Sequence, residues 1–140
     1  RLFTGETVSY AGHQIGLDEA RLLPVPVQQP HPPIWIGGAG PRRTLPLVAR
    51  FADVWHTWGS PDQLRALSAT VDRLAEEAGR SPDAITRASS LSLSEPWEDV
   101  TREAAALRDA GLGYLVCGWP AEGRARVEEF ATRVMPEFVA

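Results

Sequence analysis

From residue 33 onward the chain repeats one pattern four times: a short apolar run, a turn marked by glycine or proline, then apolar residues at helical spacing. Residues 34–36 precede a helix over about 42–51, with Leu45, Val48 and Ala49 as its buried stripe. Pro46 fits that helix if it falls in the first turn. Residues 54–58 precede a helix carrying Leu64, Leu67, Val71, Leu74 and Ala78, with Gly79 as its C-terminal stop. Residues 85–93 precede a helix over 96–110, with Val100, Ala104 and Leu107 on one face and Gly111 closing it. In 85–93, Leu91 and Leu93 share one face and Ser90 and Ser92 the other. Residues 112–117 turn at Gly118-Trp119-Pro120 into a helix from about 123, which sends Val127, Phe130, Val134 and Phe138 to the core.

Strands alternating with helices predict parallel strands joined by right-handed crossovers. Two α/β architectures fit four such units: a small open sheet, or half of a (β/α)8 barrel. A complete barrel needs roughly 200–250 residues, and the chain has 140. In both architectures ligands gather at the C-terminal strand ends. That end collects residues 37–40, 57–60, 94–95 and 118–119.

The first of these ends carries the densest signal. Ile34-Trp35-Ile36 suits a buried strand, and Gly37-Gly38-Ala39-Gly40 follows at once. Three missing Cβ atoms let backbone N–H groups approach an anion closely. Pro41 suits a first helical position, where its missing N–H costs nothing. A helix start adds free N–H donors and partial positive charge. The pattern fits a phosphate or carboxylate site, and equally a tight strand-to-helix turn without a ligand. Arg42 and Arg43 flank it, either as phosphate contacts or as a solvated pair. A dinucleotide-binding fingerprint is a weaker reading, because Arg43 stands where that motif needs its third glycine.

Before the repeats, residues 7–10 and 13–17 form a small hairpin around Ala11-Gly12, and residues 19–33 form a proline-rich connector. His13, beside the turn, reads as a solvated polar residue. His56 lies inside the second strand, as a ligand contact if it faces a cavity and as a satisfied interior imidazole otherwise. Trp55 and Trp58 point to opposite faces, and at least one belongs to the core.

Composition removes several function classes. Net charge is −4 with no basic block, which argues against nucleic acid as a partner. No apolar run approaches the roughly 18 residues of a membrane span. All 14 basic residues are arginine, so the chain contains neither a Schiff-base lysine nor a phosphate-loop lysine. No metal-ligand cluster stands out. Cys117, the one cysteine, reads as a small buried hydrophobe, and its isolation suits a reducing cytoplasm. The chain opens on Arg1, which reads as an internal segment or fragment.

The run Leu22-Leu23-Pro24-Val25-Pro26-Val27-Gln28-Gln29-Pro30-His31-Pro32-Pro33-Ile34-Trp35-Ile36-Gly37-Gly38 resembles the luciferase-like monooxygenase family, in particular its deazaflavin (coenzyme F420)-dependent oxidoreductases. Arg43-Thr44-Leu45, Ala52-Asp53-Val54-Trp55, Gly79-Arg80-Ser81-Pro82 and Met135-Pro136-Glu137-Phe138 are similar as well. The resemblance implies a TIM (β/α)8 barrel of which residues 32–140 are the C-terminal half, strands five to eight. Residues 1–31 would be a hairpin insertion and connector before strand five. It implies that Gly37, Gly38, Ala39 and Gly40, with Trp58 and Gly59, hold the phosphate of F420 or, alternatively, FMN. The activity implied is F420-dependent hydride transfer to or from a small-molecule substrate. The FMN alternative is a monooxygenase using reduced flavin and dioxygen. The residues that serve the reacting ring belong to the family's first four strands, so no catalytic residue is assigned and the 140 residues alone are expected to be inactive. A non-catalytic half-barrel that pairs through open sheet edges is the competing reading. In either case the edges favour association with an N-terminal half-barrel or a second copy, a homo-oligomer.

Overall fold

The computed structural model describes residues 1–138. The chain divides into two compact units, Arg1–Pro33 and Ile34–Ala140.

In the first unit, β1 (Val8–Ala11) and β2 (Gly16–Ala20) pair antiparallel. The return strand starts later than the expected His13, because Gly12 N–H donates to the Ile15 carbonyl at 3.1 Å and keeps residues 12–15 in the loop. The register shifts between Val8 and Tyr10. Ser9 Oγ there accepts the Glu19 N–H at 3.1 Å, so β2 takes up residues 19 and 20 that the connector was expected to contain.

The second unit alternates strand and helix throughout: β3 (Trp35–Gly37), α1 (Thr44–Phe51), β4 (Val54–His56), α2 (Pro61–Glu77), β5 (Thr86–Leu91), α3 (Trp97–Asp109), β6 (Tyr114–Cys117) and α4 (Arg124–Arg133). The sheet is parallel with order β3-β4-β5-β6. Sequential order decides between the two architectures, since a doubly wound sheet reverses its strand order.

Side-chain alternation agrees. Ile36 and Trp55 pack with Leu45, Val48, Ala49, Val71 and Ala75 of α1 and α2. Leu91, Leu115 and Cys117 pack with Leu64 and with Val100, Ala104 and Leu107 of α3, joined by Val127 and Phe130 of α4. All four helices therefore cover one face. The other face carries Trp35, Val54, His56, Ala88, Ser90, Tyr114 and Val116, by the period-two rule. Trp35 and Tyr114 stand on the two edge strands, yet their rings meet edge to face with centroids 5.3 Å apart. Three strand spacings would hold flat edge strands ~14 Å apart, so the sheet curls and this face is concave. This is the curvature of a barrel segment, with the edges of β3 and β6 unpaired among the described residues.

The helices end where their sequences say. Gly79 (φ +73°) and Gly111 (φ +88°) take the left-handed conformation just beyond α2 and α3. Helix α4 stops at Arg133, and Met135–Glu137 forms a 3-10 turn, because Pro136 lacks the N–H a continuing helix needs. Phe138 therefore reaches the core from beyond the helix. Val134 is buried, whereas Val127, Phe130 and Phe138 are only partly so.

Candidate functional site

The site grows from the C-terminal ends of β3 and β4, which lie side by side with Gly37 in register with His56. Gly38 leaves β3 at φ +109°, a conformation that residues with a Cβ rarely adopt. Its N–H donates to the His56 carbonyl at 3.0 Å. Its own carbonyl accepts the Trp55 indole N–H at 2.8 Å. Trp55 is fully buried in the helix-side core, so the packed interior fixes the first half of the turn.

The second half differs from the expectation. Gly40 O accepts N–H bonds from both Thr44 (2.9 Å) and Leu45 (3.0 Å). The helix therefore begins at Thr44 and not near residue 42, and Pro41 sits in a preceding turn, outside the helix. The leading amides of α1 are consumed by Gly40. The donors of Ala39 and Gly40 are left open, with no hydrogen-bond acceptor among the described residues, as are the N–H groups of Arg42 and Arg43 in the turn that follows. Gly40 also keeps the space clear, for a Cβ there would come within 2.9 Å of Thr44 Oγ1.

The neighbouring strand end is shorter than expected. β4 stops at His56, and residues 57 and 58 already belong to the loop. Thr57 is buried and its N–H donates to the Ala88 carbonyl at 3.0 Å. Trp58 is exposed. The N–H groups of Trp58 and Gly59 have no acceptor among the described residues. Ser60 then caps α2: its N–H donates to Gln63 Oε1 at 2.9 Å and its Oγ accepts the Gln63 N–H. Donors at this second turn are thus partly spent within the chain. Asp62, in the first turn of α2, pairs with Arg65 at 2.5 Å on the exposed surface.

Two of the remaining candidates are resolved by their surroundings. His56 is half-buried on the concave face, with Nε2 3.2 Å from Ser90 Oγ and its ring 6.0 Å from that of Trp58. It stands on the concave face and not in the helix-side core. Cys117, half-buried, points to the helices, where burial pushes its thiol pKa up. Arg42, Arg43 and His13 are exposed. No group of three or more His, Cys, Asp or Glu among the described residues is arranged to hold a metal.

Sequence reading missed three partnerships: the Trp55 indole on the Gly38 carbonyl, Ser90 beside His56, and Arg126 of α4. Arg126 donates to the Leu93 carbonyl at 2.7 Å and to that of Glu95, while its guanidinium lies 3.4 Å above the Trp97 ring. It fastens the loop after β5 at the same sheet end. The period-two rule put Ser90 on the face opposite Leu91, but not beside His56, which depends on the register of β4 against β5. The Arg126 clamp joins positions more than thirty residues apart and leaves no local mark.

A sequence profile of the luciferase-like monooxygenase family matches residues 1–134. The chain belongs to that family. Its members are oxidoreductases and monooxygenases. Among solved structures, the fold is similar to the coenzyme F420-dependent tetrahydromethanopterin reductase of Methanopyrus kandleri, with TM-score 0.81 and 16% identity over 99% of this chain and 60% of that one. An F420-dependent secondary alcohol dehydrogenase, solved with an F420–acetone adduct, gives TM-score 0.81 and 16% identity over 99% of this chain and 58% of that one. A riboflavin lyase solved with modified FMN and riboflavin gives TM-score 0.70 and 12% identity over 93% and 47%. The luciferase-like chain thus spans about 60% of the length of the first two structures it matches, and these likenesses establish the fold. No helix among the described residues is long and apolar enough to cross a membrane.

Proposed function

We propose that this luciferase-like chain forms the phosphate-gripping part of an F420-dependent oxidoreductase, with Gly37, Gly38, Ala39, Gly40, Trp58 and Gly59 around the cofactor's phosphate. The observation that carries the reading is the pair of open amides at Ala39 and Gly40, on a turn whose Gly38 N–H, Gly38 carbonyl and Gly40 carbonyl are bonded within the chain. The donor set fits the group. Neutral N–H donors in a glycine-rich turn suit an anionic oxygen, and Arg42 and Arg43 add positive charge nearby. When bound, the deazaflavin would supply hydride transfer. The chain's own part is to hold the anionic tail and, through the Trp55–Gly38 bond, to keep the turn from shifting. FMN is the alternative cofactor, since its phosphate would meet the same donors.

The chemistry would be performed in the cytoplasm on a small-molecule substrate. The open edges of β3 and β6 favour pairing with a further half-barrel or with a second copy. The test is titration of the 140-residue chain with F420, FMN and inorganic phosphate, followed by calorimetry and amide NMR. Expected are saturable shifts at Ala39, Gly40, Trp58 and Gly59 with all three ligands, and no turnover of F420 by this chain alone. Shifts spread elsewhere, with these four amides unmoved, would overturn the assignment.

A further inference from the structure

The concave face is lined by the apolar Trp35, Val54, Ala88, Tyr114 and Val116, with Thr86 at the N-terminal start of β5. His56 and Ser90 break that surface. Both stand at the C-terminal half of their strands, on neighbouring β4 and β5, and they share one hydrogen bond of 3.2 Å. An imidazole and a hydroxyl together offer more donors and acceptors than one bond consumes. Covering them with an apolar surface would leave the surplus unsatisfied. The pair is therefore suited to a polar partner.

Its position says which partner. His56 serves the glycine turn with its backbone, since its carbonyl accepts the Gly38 N–H. The same residue presents its side chain to the concave face, because Trp55 before it points to the helices. A molecule whose anionic end rests on the amides of Ala39 and Gly40 has this imidazole as a polar neighbour at the same sheet end. The exposed Trp58 ring, 6.0 Å from it, adds an apolar wall.

Resting on the phosphate reading above, we propose that His56, oriented by Ser90, is a positioning residue. It accepts or donates a hydrogen bond to an uncharged carbonyl or hydroxyl group of the same ligand, beyond its phosphate. His56 thereby distinguishes a complete cofactor from a bare phosphate, while the glycine turn does not.

The experiment compares FMN, coenzyme F420 and inorganic phosphate on the wild-type chain and on His56→Phe, His56→Gln, Ser90→Ala and Gly38→Val, with histidine side-chain NMR alongside the affinities. In the wild type the His56 ring resonances shift with FMN or F420 and stay in place with phosphate. His56→Phe weakens FMN or F420 about tenfold, the scale of one lost hydrogen bond, and leaves phosphate within about twofold. His56→Gln recovers part of that loss, and Ser90→Ala falls between. Should His56→Phe fail to fold, Ser90→Ala and the wild-type ring shifts carry the test alone. If His56 resonances ignore the complete cofactors, or the variants weaken phosphate equally, the role of His56 is overturned while the turn keeps its own. If no probe binds the wild type, or Gly38→Val binds all three normally, the phosphate reading itself falls, and this inference with it.

Discussion

The two ends of the four-stranded sheet treat their polar groups in opposite ways. At the N-terminal end, groups close on one another, with Arg80 Nη1 the exception, buried without a hydrogen-bond partner among the described residues. Asp53 Oδ2 accepts the Ile34 N–H at 2.7 Å and its Oδ1 lies 3.6 Å from Arg80. Arg87 donates to the carbonyls of Pro82 (2.8 Å) and Ile85 (2.7 Å) and pairs with Asp72. At the C-terminal end, Ala39, Gly40, Trp58 and Gly59 leave their N–H groups open, and His56 and Ser90 face outward from the helices. The difference is the division of labour seen in β/α barrels, where one end stabilises and the other binds. It also sorts the sequence runs that carry the family likeness. Asp53 and the run Gly79-Arg80-Ser81-Pro82 belong to the locked end, whereas the run through Gly37-Gly38 and Arg43-Thr44-Leu45 lie at the open one, where the Trp55 indole also ends.

The largest effect that would separate the ends is on stability. Asp53→Ala leaves the Ile34 N–H without its carboxylate acceptor and removes the Arg80 contact. The expected loss is about 2 kcal/mol, the range for stranding a partly buried donor. It should appear as a lower urea midpoint at unchanged slope, with FMN affinity untouched under native conditions. A weakened FMN affinity with intact folding would mean that the locked end also shapes the site.

Next comes a pair of glycines that differ in place and share a positive φ. Gly38 has φ +109° and Gly79 φ +73°. A Cβ meets nothing within 4 Å at Gly79 and only an ordinary 3.6 Å contact at Gly38. Gly38→Val and Gly79→Val should therefore cost similar amounts of stability, about 1–2 kcal/mol each, from backbone strain. Only Gly38→Val should also lose ligand binding. Equal binding in both variants would remove the functional distinction between the two turns.

Much of this contrast was legible beforehand, for identifiable reasons. Periodicity located all four strand–helix units, because Leu45, Val48 and Ala49, or Val100, Ala104 and Leu107, can share a face only in a helix. The glycines at 37, 38 and 40 marked the open turn. What stayed hidden was set by contacts between distant residues. The helix start moved to Thr44 because the Gly40 carbonyl captured two amides, which a favourable Pro41 could not reveal. β4 ended at His56 because Thr57 turned its N–H to Ala88 on the next strand. Whether His56 faced a cavity or the core depended on the strand's phase, which Trp55, buried against α1 and α2, determined.

The smallest expected effect concerns a third strand end, and it sharpens what the open end means. Cys117 closes β6 on the same side of the sheet as Gly37 and His56, yet its side chain faces the helices. There it helps line an apolar cavity of about 570 Å³ with Leu115, Val127 and Phe130. Burial raises its thiol pKa, because the thiolate loses its hydration. The neutral thiol therefore persists through pH 7–8, and the reactive form grows only as pH rises further. Labelling by a disulfide reagent at pH 8 should run slower than for a free cysteine, speed up with pH, and become ordinary in urea. Fast labelling at neutral pH would place Cys117 among the open groups of the C-terminal end. Slow labelling would place the Cys117 thiol with the helix-side packing, apart from the open amides of the glycine turn and the His56 ring.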